Sequence, residues 1–170
     1  MLETLTQREP YSLRPALLED ADLMASLIRR AWAGTVLDPM SKGHRTTGGM
    51  VLTQFQQGGG GFLVETLEDV VGTAQYVPLE HPSRIWEIMG VGILKEHRGK
   101  ALVDRLLEVI EVTARRREVL ELRLAVRSDA NTEKLVRVYR RNGFEVDELL
   151  EYSHRNPLTA PPVVLKKELR

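Results

Sequence analysis

Glu87-Ile88-Met89-Gly90-Val91-Gly92-Ile93-Leu94-Lys95-Glu96-His97-Arg98-Gly99-Lys100-Ala101 is the stretch whose reading decides the fold. Ile85 to Leu94 is almost continuously apolar, as expected of a central strand buried on both faces. Arg98-Gly99-Lys100 then signals a turn. Leu102, Leu106, Val109, Ile110 and Thr113 trace one face of a long helix ending in Arg115-Arg116-Arg117. Strand, tight basic loop and helix start make an anion cradle. The first N–H groups of a helix lack intrahelical acceptors and its dipole adds partial positive charge, so a pyrophosphate can dock there. An ordinary strand-to-helix turn with Arg98 and Lys100 solvated accounts for the loop equally well. One carboxylate, Glu87, interrupts the strand, and burying it costs free energy unless it is hydrogen-bonded, protonated or put to use.

Downstream, Leu120 to Val126 reads as the next strand, Ser128-Asp129 as a cap, and Leu135, Val138 and Tyr139 as the inner face of a helix stopped by Asn142-Gly143. A right-handed helical crossover makes the strands ending at Leu94 and Val126 a parallel pair. Phe144 to Tyr152 and Val163 to Leu169 read as two last strands joined by the proline-rich loop Ser153 to Pro162. Upstream, Tyr11 to Pro15 is a short opening strand. Leu23, Leu27, Ile28 and Ala31 stripe a helix that Gly34 ends, and a loop from Thr35 to Gly49 leads to a short helix from Met50 to Gln57. Phe62 to Glu65 and Val70 to Val77 form an antiparallel hairpin. This order predicts a mixed α/β (α+β) domain over 11–170 behind a tail at 1–10. Its central sheet is mostly antiparallel with one splayed parallel pair, flanked by about four helices.

Composition narrows the function. The 170 residues, 42% hydrophobic and 28% charged, fit one ordinary core. Lysine plus arginine (24) balances aspartate plus glutamate (24), which disfavours nucleic acid, and the cationic run Arg115 to Arg117 is explained by its helix terminus. The absence of cysteine removes disulfides and thiolate chemistry and suits a reducing cytosol. His44, His81, His97 and His154 are scattered without metal-ligand spacing, so no metal is expected. The apolar runs are too short to span a membrane. A soluble, cytoplasmic protein is expected, and a homodimer is compatible with that reading.

The opening Leu13-Arg14-Pro15, the central strand, the basic loop and Tyr139-Arg140-Arg141-Asn142-Gly143-Phe144 occur in an order that resembles the GCN5-related N-acetyltransferase (GNAT) superfamily. The resemblance runs from about Tyr11 to Leu169. It implies that acetyl-coenzyme A is bound where the parallel strands splay. Val91 and Ile93 would offer main-chain groups to the pantetheine arm, the Val91 N–H would polarise the acetyl carbonyl, and His97, Arg98, Gly99, Lys100 and Ala101 would cradle the pyrophosphate. Two positions depart from the family pattern. Ala101 and Val103 stand where small residues, usually glycine first, are found.

By the same resemblance Glu87 is the candidate general base and Tyr139 the candidate acid that protonates the departing thiolate. The alternatives are a Glu87 that faces solvent or pairs with an arginine, and a Tyr139 that only packs a helix face. The acceptor amine is expected between Trp32 to Met50 and Ser153 to Pro162. The activity implied is acetyl transfer to a primary amine. A non-catalytic module that senses an acyl-coenzyme A or docks a protein is the alternative.

Overall fold

The computed structural model describes residues 10–34, 42–79, 84–153 and 156–169. The expected tail, apart from Pro10, and His81 and His154 lie outside the described residues. Among the described residues the strands are β1 (Ser12–Pro15), β2 (Gly60–Glu65), β3 (Val70–Pro78), β4 (Ile85–Ile93), β5 (Glu121–Val126), β6 (Glu145–Val146) and β7 (Val163–Glu168). The helices are α1 (Ala21–Trp32), α2 (Lys42–Arg45), α3 (Gly48–Gln56), α4 (Leu102–Arg116) and α5 (Thr132–Arg141). One sheet runs in the order β1-β2-β3-β4-β5-β7-β6. Only β4 and β5 pair parallel, through the crossover helix α4.

Paired residues project to the same side of a sheet, so the register assigns the faces. Trp86, Leu122, Ile88 and Leu124 share one face. Arg117 at the end of α4 lies over the Trp86 and Tyr76 rings, which puts α4 on that face. Asp104 of α4 binds Arg141 and Asn142 and fixes α5 beside it. The opposite face carries Glu87 with Arg123 and Lys166 of the neighbouring strands. Its β3–β4 part is covered by α1 and α3. Helix α1 buries Met24, Leu27 and Ile28 against it, each contributing roughly 1.5–3 kcal/mol.

Three local expectations are corrected. The stretch expected to be a loop carries the short helix α2, and α3 starts at Gly48 because the Thr47 side chain accepts from the Met50 N–H. This raises the helix number to five among the described residues. The strand expected over Phe144 to Tyr152 shrinks to Glu145–Val146. Asp147 ends it by capturing the Leu149 N–H on its carboxylate at 2.9 Å while the Leu150 N–H turns back to the Asp147 carbonyl. Ser128-Asp129 is not the α5 cap. Asn131 holds that position, and Asp129 instead accepts from the Asn131 N–H at 2.7 Å in the preceding turn.

Candidate active site

The β4–β5 pairing stops at Ile88 and Leu124 although both strands continue. On the other side of β4 the register with β3 slips between Thr73 and Gln75, leaving Gly90 and Val91 outside the ladder. This is a β-bulge, and Gly90 takes it up at φ 60. Val91 therefore has no strand partner on either side, and its main chain is presented where the sheet opens. The opening continues into a cleft of about 870 Å³ lined by both strands, the ends of α1 and α3, the β4–α4 loop and α5.

The loop builds one end of this cleft. Gly99 sits at φ 77, a conformation glycine adopts freely. Ala101, just before α4, sits at φ 56, where a Cβ is strained. Gly99, Ala101, Leu102 and Val103 all line the cleft, so the free N–H groups of the α4 start face it. Lys100 is solvent-exposed. Arg98 is not simply solvated. Its Nε donates to the Ile93 carbonyl at 3.1 Å and its Nη2 to the Ala31 carbonyl, which ties the loop to β4 and to the end of α1. The Ile93 carbonyl thus already accepts one hydrogen bond. His97 is half-buried against Tyr11, whose hydroxyl lies 3.0 Å from Nδ1. Asp104 at the start of α4 is an acidic residue of the lining at this end. Burial opposes its ionisation, but bonds from Asn142 and Arg141 prevail and hold it below the usual carboxylate range.

Glu87 is buried at 3% exposure, which excludes the solvent-facing alternative. The Ser153 hydroxyl donates to its Oε1 at 2.6 Å. Glu87 stands just behind the cleft lining. Tyr139 is also buried, on the opposite face of the sheet, edge-on to Phe144. Among the described residues its hydroxyl makes no hydrogen bond, and the ring lines the cleft. Burial pushes its phenol up to about 12, with Arg127 nearby acting weakly the other way.

Sequence reasoning missed four residues of this site. Tyr152 lines the cleft in front of Glu87, and its phenol is raised by burial and then by the Glu87 charge. Gln75 and Gln54 join across the floor through Gln75 Nε2 and Gln54 Oε1 at 3.1 Å. Arg127 closes over the Trp32 ring at 4.8 Å and binds Asp129 at 2.6 Å. A glutamine inside the apolar run of β3 was the one available signal, since burying an amide demands a partner. Among the described residues no cluster of histidine and acidic side chains could hold a metal, and no helix is long and apolar enough to cross a membrane.

A splayed parallel pair with a bulged inner strand, an N-terminal helix cradle and a cleft through the sheet define an acetyltransferase-type fold. The Acetyltransferase (GNAT) family model matches residues 24–144, and the chain belongs to that family. Its fold is similar to that of a GNAT-family acetyltransferase from Staphylococcus aureus Mu50 (TM-score 0.78, 13% identity, covering 94% of this chain and 99% of that one). It is similar also to PaiA N-acetyltransferase from Thermoplasma acidophilum in complex with coenzyme A (0.72, 16%, 93% and 98%). A third likeness is to ribosomal-protein-alanine N-acetyltransferase from Brucella melitensis (0.70, 19%, 93% and 99%). No curated protein matches the chain.

Proposed function

We propose that the protein transfers an acetyl group from acetyl-coenzyme A to a primary amine by direct attack. The observation that carries this reading is the splay itself, where Val91 lacks a strand partner on both sides and lines the cleft that Tyr139 also lines, with Glu87 on the same strand. The loop His97 to Ala101 and the α4 start would hold the pyrophosphate, with Lys100 supplying charge and Arg98 fixing the loop. When bound, the cofactor supplies an activated thioester.

Glu87 removes the proton of the incoming ammonium, relayed across the lining by the Ser153 hydroxyl or a water. The freed amine forms the new C–N bond at the acetyl carbon. The Val91 N–H meets the negative charge that develops on the acetyl oxygen. Tyr139, kept protonated by burial, gives its proton to the sulfur as the C–S bond breaks, and the second proton of the attacking nitrogen returns to the Tyr139 phenolate, directly or through a water, as the amide forms. The products are an N-acetyl amine and the free thiol.

A ligand that binds only the folded chain raises its stability by about 2.7 kcal/mol at a hundredfold excess over its dissociation constant. Acetyl-coenzyme A is therefore expected to raise the melting temperature, and thiol release is expected when amines are added. Calorimetry without binding at millimolar cofactor rejects the proposal. The strained Ala101 and the half-buried Val103 favour a second reading, a non-catalytic acyl-coenzyme A module. Binding without turnover of any amine selects it.

A further inference from the structure

The acceptor end of the cleft is walled by Ile28, Trp32, Met50 and Met89, with an amide pair, Gln54 and Gln75, in its floor. Gln75 is only 2% exposed. Its Nε2 is used on Gln54, whose own Nε2 donates to the Met89 sulfur at 3.1 Å. The Gln75 Oε1 accepts no hydrogen bond from a described residue. Yet among the described residues no sealed side-chain oxygen or nitrogen lacks a partner. That oxygen is therefore open to the cleft that Gln75 lines. It lies against the bulge, because a Cβ on Gly90 would run into it. It thus lies beside Gly90, the residue that precedes Val91, where the proposed chemistry occurs.

The charges near this end are already committed. The acidic side chains among the described lining residues are Asp104 and Asp129, and these are bound by Arg141 and Arg127. Glu87 stands behind the lining and is held by Ser153. A polycation entering here would lose its water without a carboxylate on the described walls to replace it. A neutral amide oxygen among apolar side chains instead suits one N–H donor on an apolar body.

Resting on the acetyltransferase reading for the location of the acceptor, we propose that Gln75, fixed by Gln54, is the residue that selects the acceptor. Its Oε1 accepts a hydrogen bond from the amine, and the pocket takes a primary amine with a single positive charge on an apolar frame. Such an amine is a free monoamine or the amino terminus of an apolar peptide.

Calorimetry on the coenzyme A-loaded protein tests this apart from catalysis, using 2-phenylethylamine, a short peptide with an N-terminal leucine, and spermidine. At least one of the two monocationic probes is expected to bind tenfold or more tighter than spermidine, and which one does so identifies the source. Gln75→Leu is expected to weaken that probe at least tenfold with coenzyme A affinity retained. Met50→Glu, at a partly exposed rim position, is expected to shift the preference at least tenfold towards spermidine and carries the test should Gln75→Leu not fold. Spermidine binding as tightly as the monocations, no binding of either monocation, or probe affinity unchanged in both variants overturns the proposal. The selective binding pattern without turnover leaves the pocket assignment standing and rejects only the catalytic reading.

Discussion

The two ends of the cleft are built by different means. The cofactor end is made largely of neighbours in sequence, since Arg98 reaches back to Ile93, Gly99 and Ala101 set the turn, and α4 starts at once. The Glu87 end is assembled from distant parts of the chain. Ser153 reaches Glu87 across 66 positions, and Gln54 of α3 meets Gln75 of β3. A site of the first kind is specified by a short motif and tolerates change elsewhere. A site of the second kind depends on how loops pack over the sheet, which leaves acceptor choice free to vary on a constant cofactor frame.

If the ends are separable in this way, Glu87→Gln is the sharpest test and carries the largest expected effect. The amide keeps the shape and can still accept from Ser153, but it loses the basic site. Turnover is expected to fall by about 10² or more, the usual worth of general-base assistance, while calorimetric affinity for acetyl-coenzyme A stays put. An equal loss of cofactor affinity breaks the comparison. Turnover within twofold of wild type leaves Glu87 as a structural residue of β4.

The same division decides what could be read from the sequence. The loop, both central strands and the parallel crossover were legible because periodicity and turn residues act locally. Tyr152 was not legible as a cleft residue. The pattern of Phe144 to Tyr152 reads as a strand that Tyr152 ends, and only the Asp147 turn carries it across to Glu87. The sequence places Arg98 either in the anion cradle or in solvent, and nothing local announces that the Ala31 carbonyl, at the far end of α1, is within its reach.

Tyr139→Phe tests the wall between the ends. It keeps the ring edge-on to Phe144 and deletes only the hydroxyl, so a general-acid role predicts about a tenfold or larger loss of turnover, roughly 1.4 kcal/mol. Activity of the wild type should not decline through pH 10 on account of this phenol, because burial moves it to about 12. Above pH 10 the unfolded chain releases this proton while the folded one keeps it, so stability falls by about 1.4 kcal/mol per pH unit until pH 12. Tyr139→Phe should lack that part of the alkaline loss in urea titrations at pH 9 and 11. Identical pH dependence in the two proteins removes the buried phenol from the account.

Ala101→Gly has the smallest expected effect and is confined to the cofactor end. At φ 56 an alanine pays roughly 1–2 kcal/mol for the left-handed conformation, which glycine adopts freely. Glycine also gives the unfolded chain more freedom, which costs about 0.4–1 kcal/mol in the opposite direction. The difference leaves a gain of roughly 0.5 kcal/mol, measurable by urea denaturation. Ala101 is exposed on the loop and its methyl fills no core space, so no cavity term offsets the gain. Because the relief lies at the start of α4, beside the free N–H groups of the proposed cradle, acetyl-coenzyme A affinity should rise or hold while the acceptor KM does not move. A change in acceptor KM without a change in cofactor affinity would mean that this loop reaches the other end of the cleft after all. A loss of stability in the glycine variant would mean that Ala101 bears no strain.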